Sequence, residues 1–415
     1  MRNDKPIIES PLDTDIYKHT MGQFIFLRYP DVPVRYAFKN RTKSVKLGKL
    51  IDLGQLREEL DHFRDDISYN NSELHYLRGT NEYQERMFVE PYLEFLKKLK
   101  LPDYDLEIVD DEIRLEFPGK WSEAIYWEVP ALSIVNELYT RSVMAPFSRF
   151  GKELVYAEGR RCLAEKIKIL HKRPNSITFV DFGTRRRFSR DWQRYVIGVL
   201  IEELPNQFRG TSNVKFAMDA GLVPMGTSAH ELNMVMTAVM HGSDEEIRLS
   251  QQKVLQDWWD QYGWGLSIIL PDTYGSKFTF NTVTAEQARC WKGFRHDSGP
   301  PQRFAKWAIE FYKKHNINPK EKLLIFSDGL CVETMIGAAD YVNNRIRFTF
   351  GWGTNLMNDL GIDPVSIVVK PVEANGIGLA KLSDNPGKAI GRPEDIEEVK
   401  RIFEYDGGVY EKCIY

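Results

Sequence analysis

Six short apolar runs, each set off from the next by a helix-patterned stretch, constrain this 415-residue chain more than any other feature. They lie at residues 176–180 (SITFV), 213–218 (NVKFAM), 266–270 (LSIIL), 322–326 (KLLIF), 345–350 (RIRFTF) and 365–369 (VSIVV). They are short, rich in β-branched residues and largely without polar alternation. Such runs read as strands of a parallel sheet buried on both faces, because the intervening helices cover both sides. Six units in succession favour a (β/α) barrel over a short open sheet.

The chain up to about Val135 has a different texture. DLEIV and EIRLEF, separated by Asp110 and Asp111, read as a β-hairpin. From Glu137 the pattern is that of long amphipathic helices, broken near Pro146. The tail after Pro371 is charged and is expected to pack back against the first unit. The expected fold is therefore α/β. Residues 1–135 form an N-terminal α/β domain, completed by 372–415, and residues 136–371 form a (β/α) barrel-like catalytic domain.

Composition narrows the class. Hydrophobic residues at 42% and charged residues at 28% are ordinary for a globular enzyme. A net charge of -3 argues against a nucleic-acid binder, which would be clearly basic. Cys162, Cys290, Cys331 and Cys413 form no CxxC pair, so reduced thiols are expected rather than disulfides or a cysteine zinc site. The first ten residues lack the apolar core of a secretory signal, and no apolar run is long enough for a bilayer. The expected setting is the cytoplasm, without membrane contact.

Polar motifs follow the apolar runs. Asp181-Phe182-Gly183-Thr184 and three arginines, Arg185 to Arg187, follow the first. Pro271-Asp272 follows LSIIL, Ser327-Asp328-Gly329 follows KLLIF, and Gly351-Trp352-Gly353-Thr354-Asn355 closes RIRFTF. The C-terminal ends of parallel barrel strands converge on one face, where active sites are built. Gly353 and Thr354 offer backbone and hydroxyl donors to a terminal phosphate. Arg295 and Asp297, two residues apart on an extended segment, share a side. Arg295 suits a carboxylate or phosphate, and Asp297 a metal or a hydroxyl. Asp328 suits vicinal ribose hydroxyls. The arginine cluster calls for anions to neutralise it. Thr227 and His230 stand at the start of a predicted helix, in GTSAHE. Tyr17 suits stacking on a flat ligand. Each motif taken singly also reads as a turn, a cap or a core residue. HExxH, GxxxxGK[ST] and GxSxG are absent from the sequence.

Taken in order, TDIYKHTM, FVDFGTRRRFS, FRGTSNV, PMGTSAHE, GFRHDSG, FSDGL and FGWGTNL resemble the nicotinate phosphoribosyltransferases over roughly residues 10–370. The resemblance implies an irregular barrel of the type II phosphoribosyltransferase kind. It implies transfer of phosphoribose from phosphoribosyl pyrophosphate (PRPP) to nicotinate, giving nicotinate mononucleotide and pyrophosphate in NAD salvage. ATP hydrolysis would accompany transfer through a phosphohistidine at His230, with Mg²⁺ and with Asp272 orienting the ring. Tyr17, Thr227 and Arg295 match nicotinate contacts. Phe182 and Arg185 match a stacking aromatic and its neighbouring arginine. Gly353 and Thr354 match the 5′-phosphate loop. Asp297 and Asp328 match acids near the ribose and its metal. Ser212 stands where nicotinamide enzymes carry an aspartate; a serine can donate to a carboxylate, which favours nicotinate. Two arrangements stay open: a homodimer with Tyr17 acting across the interface, or a chain that closes its own site. A nicotinamide or quinolinate enzyme, a sugar-phosphate isomerase or aldolase on a similar barrel, and a sensor without turnover are the competing readings.

Overall fold

The computed structural model describes residues 5–82, 85–173 and 177–408. Cys413, Ser176 and the first four residues lie outside that range. The first part contributes β1 (Pro33–Asn40), a small ladder of β2 (Asn81–Glu82) and β3 (Glu85–Arg86), and the hairpin β4 (Asp105–Val109) and β5 (Glu112–Lys120). The middle supplies β6 (Phe179–Asp181), β7 (Phe208–Thr211), β8 (Ile268–Ile269), β9 (Gly293–His296), β10 (Leu323–Phe326) and β11 (Arg347–Trp352). β12 (Ile367–Ala374) and β13 (Ile377–Gly378) come last.

The expected hairpin forms. Asp110 and Asp111 both take positive φ, 51° and 64°, the conformation that a two-residue turn between twisted strands needs. β1 is the middle of a five-stranded antiparallel sheet ordered β13-β12-β1-β5-β4. The predicted break near Pro146 separates helix Glu128–Met144 from helix Arg149–His171.

β6 to β11 form a six-stranded parallel sheet in the order β7-β6-β11-β10-β9-β8. Buried aromatic residues pack its strands: Phe326 stacks on Phe350 with centroids 5.6 Å apart, and Phe179 meets Trp352 edge-on at 5.4 Å. No ladder joins the end strands β7 and β8 among the described residues, an arrangement consistent with an irregular barrel that is open on one side.

Three expectations need correction. Residues 213–218 do not form a strand. Asn213 caps helix Val214–Asp219, accepting from Phe216 N, and the strand is the preceding β7. A short apolar run does not by itself distinguish a strand from a buried helix. The run at 365–369 does not join the parallel sheet. β12 pairs antiparallel with β1, from Asn40↔Ile367 to Val34↔Ala374, so the first sheet is completed by residues 367–378. The tail, in turn, packs on the second part of the chain. In and after helix Pro393–Ile402 the apolar residues Val399, Ile402 and Phe403 are buried with Ile247 and Tyr274. Phe403 stacks on Tyr274 with centroids 3.9 Å apart.

Candidate active site

All ladders of the six-stranded sheet are parallel, so its strands end at one edge, and the polar motifs gather there. Asp181 pins the first of these ends. Its carboxylate accepts from Gly183 N (2.7 Å), Thr211 Oγ1 (2.7 Å) and Gln193 Nε2 (2.8 Å). This ties β6 to β7; burial pushes the carboxyl up to about 6. The N-terminal segment runs antiparallel beside the residues after β7. Asp15 bridges Asn213, and Ile16 N donates to Ser212 O at 2.8 Å. That pairing delivers Tyr17, the first residue of helix Tyr17–Arg28, to the sheet edge of its own chain.

A cavity of about 210 Å³ opens at this edge. Tyr17, Phe182, Arg185, Ser212, Thr227, His230, Arg295, Asp297, Asp328, Gly353 and Thr354 all border it. Among the residues expected from sequence, Asp272 alone lies behind the wall. Seven basic side chains (Arg41, Arg185, Arg186, Arg295, Lys370, Lys381, Lys388) face four carboxylates (Asp15, Glu128, Asp297, Asp328) around the cavity. That positive excess in a recess suits a polyanionic ligand.

His230 occupies the N-cap of helix Glu231–Val239. Its ring is held at both nitrogens: Nδ1 lies 3.0 Å from Thr273 Oγ1, and Nε2 lies 2.9 Å from Asp297 Oδ2. Burial and the nearby Lys381 ammonium bring its imidazole down to about 4, against the pull of Asp272 and Asp297. A neutral ring has one N–H, and a carboxylate only accepts. Nε2 therefore donates to Asp297, and the Thr273 hydroxyl donates to Nδ1. Asn233 Nδ2 fixes that hydroxyl by donating to it at 3.1 Å. Asp272, expected to orient the ring, sits 3.6 Å from Nε2. It instead accepts from Ser298 at 2.6 Å and pairs with Lys381 at 3.4 Å. His230, Asp272 and Asp297 bring metal-ligand atoms within 4.8 Å of one another.

The neutral histidine gives a pH prediction. If its lone pair accepts a phosphoryl group, the labelling rate should stay level from about pH 8 down to pH 5 and fall only toward pH 4. An unshifted histidine would lose the reaction through about pH 6.5. Initial rates of label uptake across this range decide between them. The same shift makes the folded state relatively weaker as pH drops below the unfolded value.

Arg295 donates to Ser228 O at 2.8 Å, and its buried Nε has no partner among the described residues. Asp297 Oδ1 accepts from Ser327 at 3.1 Å, and Asp328 pairs with Lys388. Arg185 lies over the Tyr17 ring, 5.4 Å from its centroid. Two sequence expectations shift. Ser212 already donates to Asp15 at 2.6 Å, so its proton is engaged by a buried carboxylate that needs donors. Arg187 does not line the cavity; it is fully buried against Asp13 at 2.6 and 2.9 Å.

The glycine before Trp352 is required by Phe182. A Cβ on Gly351 would lie 2.3 Å from the Phe182 ring. Gly351→Ala should displace that ring, destabilise the fold by about 1–3 kcal/mol through overpacking, and raise the KM for a flat substrate. Melting and steady-state kinetics of the variant test both effects. Trp352, which the sequence left without a role, is fully buried and donates to Leu330 O at 3.1 Å. It joins the phosphate-type loop to the loop carrying Asp328.

Several wall residues were missed by the sequence reading: Asp15, Arg41, Glu128, Lys370, Lys381 and Lys388. Lysines in a charged tail look like solvated surface residues. Asp15, two positions from Tyr17, was the one with a usable signal.

Known proteins share this fold. The nicotinate phosphoribosyltransferase (NAPRTase) N-terminal domain model matches residues 12–136, and the nicotinate phosphoribosyltransferase (NAPRTase) family model matches residues 177–407. A nicotinate phosphoribosyltransferase structure from Vibrio cholerae is 31% identical, with a TM-score of 0.86 over 99% of this chain and 96% of that chain. One from Porphyromonas gingivalis is 27% identical, with a TM-score of 0.83 over 96% of this chain and all of that one (100%). The fold is thus that of the phosphoribosyltransferase class these structures represent. The chain belongs to the nicotinate phosphoribosyltransferase family.

Proposed function

We propose that this protein transfers phosphoribose from PRPP to nicotinate, with ATP hydrolysed through a phosphohistidine at His230, in cytoplasmic NAD salvage. One observation carries the reading: His230, Arg295, Asp297, Asp328 and Thr354 border a single cavity rich in cations. Free thiols at Cys162, Cys290 and Cys331 fit a reducing compartment. No helix of the described residues is long and apolar enough to cross a membrane.

In this reading the nicotinate ring lies against Tyr17 and Phe182, with its carboxylate toward Arg295. Gly353 and Thr354 receive the 5′-phosphate, and Asp328 receives the ribose hydroxyls. Transfer at an anomeric carbon passes through an oxocarbenium-like state. The pyridine nitrogen forms the new bond to C1, and the C1–O bond breaks with its electron pair leaving on pyrophosphate. The ring nitrogen needs no base, so the protein's task is alignment and charge stabilisation. Mg²⁺ would arrive with PRPP or ATP and offset phosphate charge, and Asp297 and Asp328 are oxygen donors on the wall that fit it.

For the ATP step, Nε2 faces the cavity. Its proton passes to Asp297 Oδ2, and the freed lone pair attacks the γ-phosphorus as the bond to ADP breaks and ADP leaves with the electron pair. Nδ1 keeps the hydrogen bond donated by the Thr273 hydroxyl. Preference for nicotinate is supported by Arg295 and the cation excess rather than by Ser212. The decisive assay compares nicotinate with nicotinamide, with PRPP and Mg²⁺, with and without ATP. Product from nicotinamide alone, or no pyrophosphate from either, would reject the reading.

A further inference from the structure

A second cavity, of about 290 Å³, adjoins the first, and the scheme above does not use it. Ala37, Lys39, Val368, Val372, Ile390 and Arg392 are among its lining residues. Val368, Lys370 and Ile390 border both cavities, so a single wall separates them. That wall has two parts. One is the face of β1 and β12 on which Ala37 opposes Lys370 and Lys39 opposes Val368. The other is the tail, where Lys381 and Ile390 exchange backbone hydrogen bonds at 2.8 and 3.0 Å. Lys381 and Lys388 border the first cavity, and Arg392 borders the second.

The cations of the second cavity differ in how they are neutralised. Lys370 holds Glu128 at 2.8 Å, and Arg392 holds Asp395 at 2.7 and 2.9 Å. Glu373, the acidic residue of the lining, lies in the field of Arg392. The Lys39 ammonium has no carboxylate partner among the described residues, and the charges acting on it are Arg41 and Lys43. Arg41 donates to Lys388 O at 3.0 Å, and no carboxylate pairs with Arg41 or Lys43 among the described residues. Desolvation and these two like charges lower the Lys39 ammonium from the usual lysine range. Each of these terms is relieved by an anion at Lys39. Three cations without a carboxylate suit a dianion better than a monoanion, and a phosphoryl group carries nearly two charges. An apolar recess with a few polar groups at its edge is the ordinary make-up of a small-molecule site.

We propose that the second cavity binds a small organic phosphate, with its phosphoryl group on Lys39 and its apolar body against Val368, Val372 and Ile390. The proposal is independent of the transfer reaction, because Lys39 borders only the second cavity.

Phenyl phosphate is the probe, and equilibrium dialysis measures its binding to the full chain. PRPP and Mg²⁺ are kept saturating to occupy the first cavity. Wild-type protein should still bind one molecule of phenyl phosphate per chain. Lys39→Glu should weaken that binding by about tenfold or more, and Ala37→Phe, which fills the recess, should abolish it. Benzoate, a monoanion of similar shape, should bind about tenfold or more weakly than phenyl phosphate. No binding beside PRPP, binding unchanged in Lys39→Glu, or benzoate held as tightly would each overturn the proposal. If Ala37→Phe fails to fold, Lys39→Glu and the benzoate comparison decide alone. If PRPP itself does not bind, the transfer reading fails, while loss of one phenyl phosphate molecule in Lys39→Glu still supports the second site.

Discussion

His230→Ala is expected to form no phosphoenzyme and hydrolyse no ATP, while slow transfer from PRPP to nicotinate continues without ATP. The reason is a division of labour within the cavity. Tyr17, Phe182, Arg295 and Thr354 remain in place to align the reactants, and alignment by itself supplies much of a rate enhancement. What the variant lacks is the imidazole held between Thr273 and Asp297. The neighbouring Asp297 and Lys381 cannot replace it, because neither presents a neutral nitrogen toward the cavity. Labelling with ATP carrying a radioactive γ-phosphate, alongside transfer rates with and without ATP, checks the outcome. A full ATP-stimulated rate in His230→Ala would refute the assignment.

Arg295→Ala should weaken nicotinate binding by about 2–5 kcal/mol, the usual loss when one partner of a desolvated charge pair is truncated. Arg295 reaches the wall from β9, and its Nη1 is anchored on Ser228 O. The guanidinium is therefore oriented before any ligand arrives, and its buried Nε has no partner among the described residues. Both features suit a planar anion, which an arginine binds through paired N–H donors. A lysine would lack that fork, so Arg295→Lys should recover only part of the loss. The nicotinate KM reads the effect; an unchanged value would remove Arg295 from the carboxylate site.

The strand ends were the most legible part of the sequence. Short apolar runs followed by Asp181, Asp328 or Gly353 announced both the parallel sheet and the edge where chemistry collects. Local pattern failed where the outcome depended on distant partners. The run at 365–369 was read correctly as a strand but assigned to the wrong sheet, because its partner β1 lies over 300 residues away and leaves no local trace. The run at 213–218 gave a helix because Asn213 caps it. Arg187 carried the same local signal as Arg185 yet is consumed by Asp13, 174 positions distant. Lys381 and Lys388 were illegible for the same reason: only the folded tail brings them to the wall.

The antiparallel run of residues 12–16 beside 212–215 has a consequence for how the molecule comes into being. One wall of the recess comes from this run and another from Lys381 and Lys388, far away along the chain. A fold with only one of the two docked has its sheet but no finished recess. Competence therefore requires both segments to meet over the same scaffold.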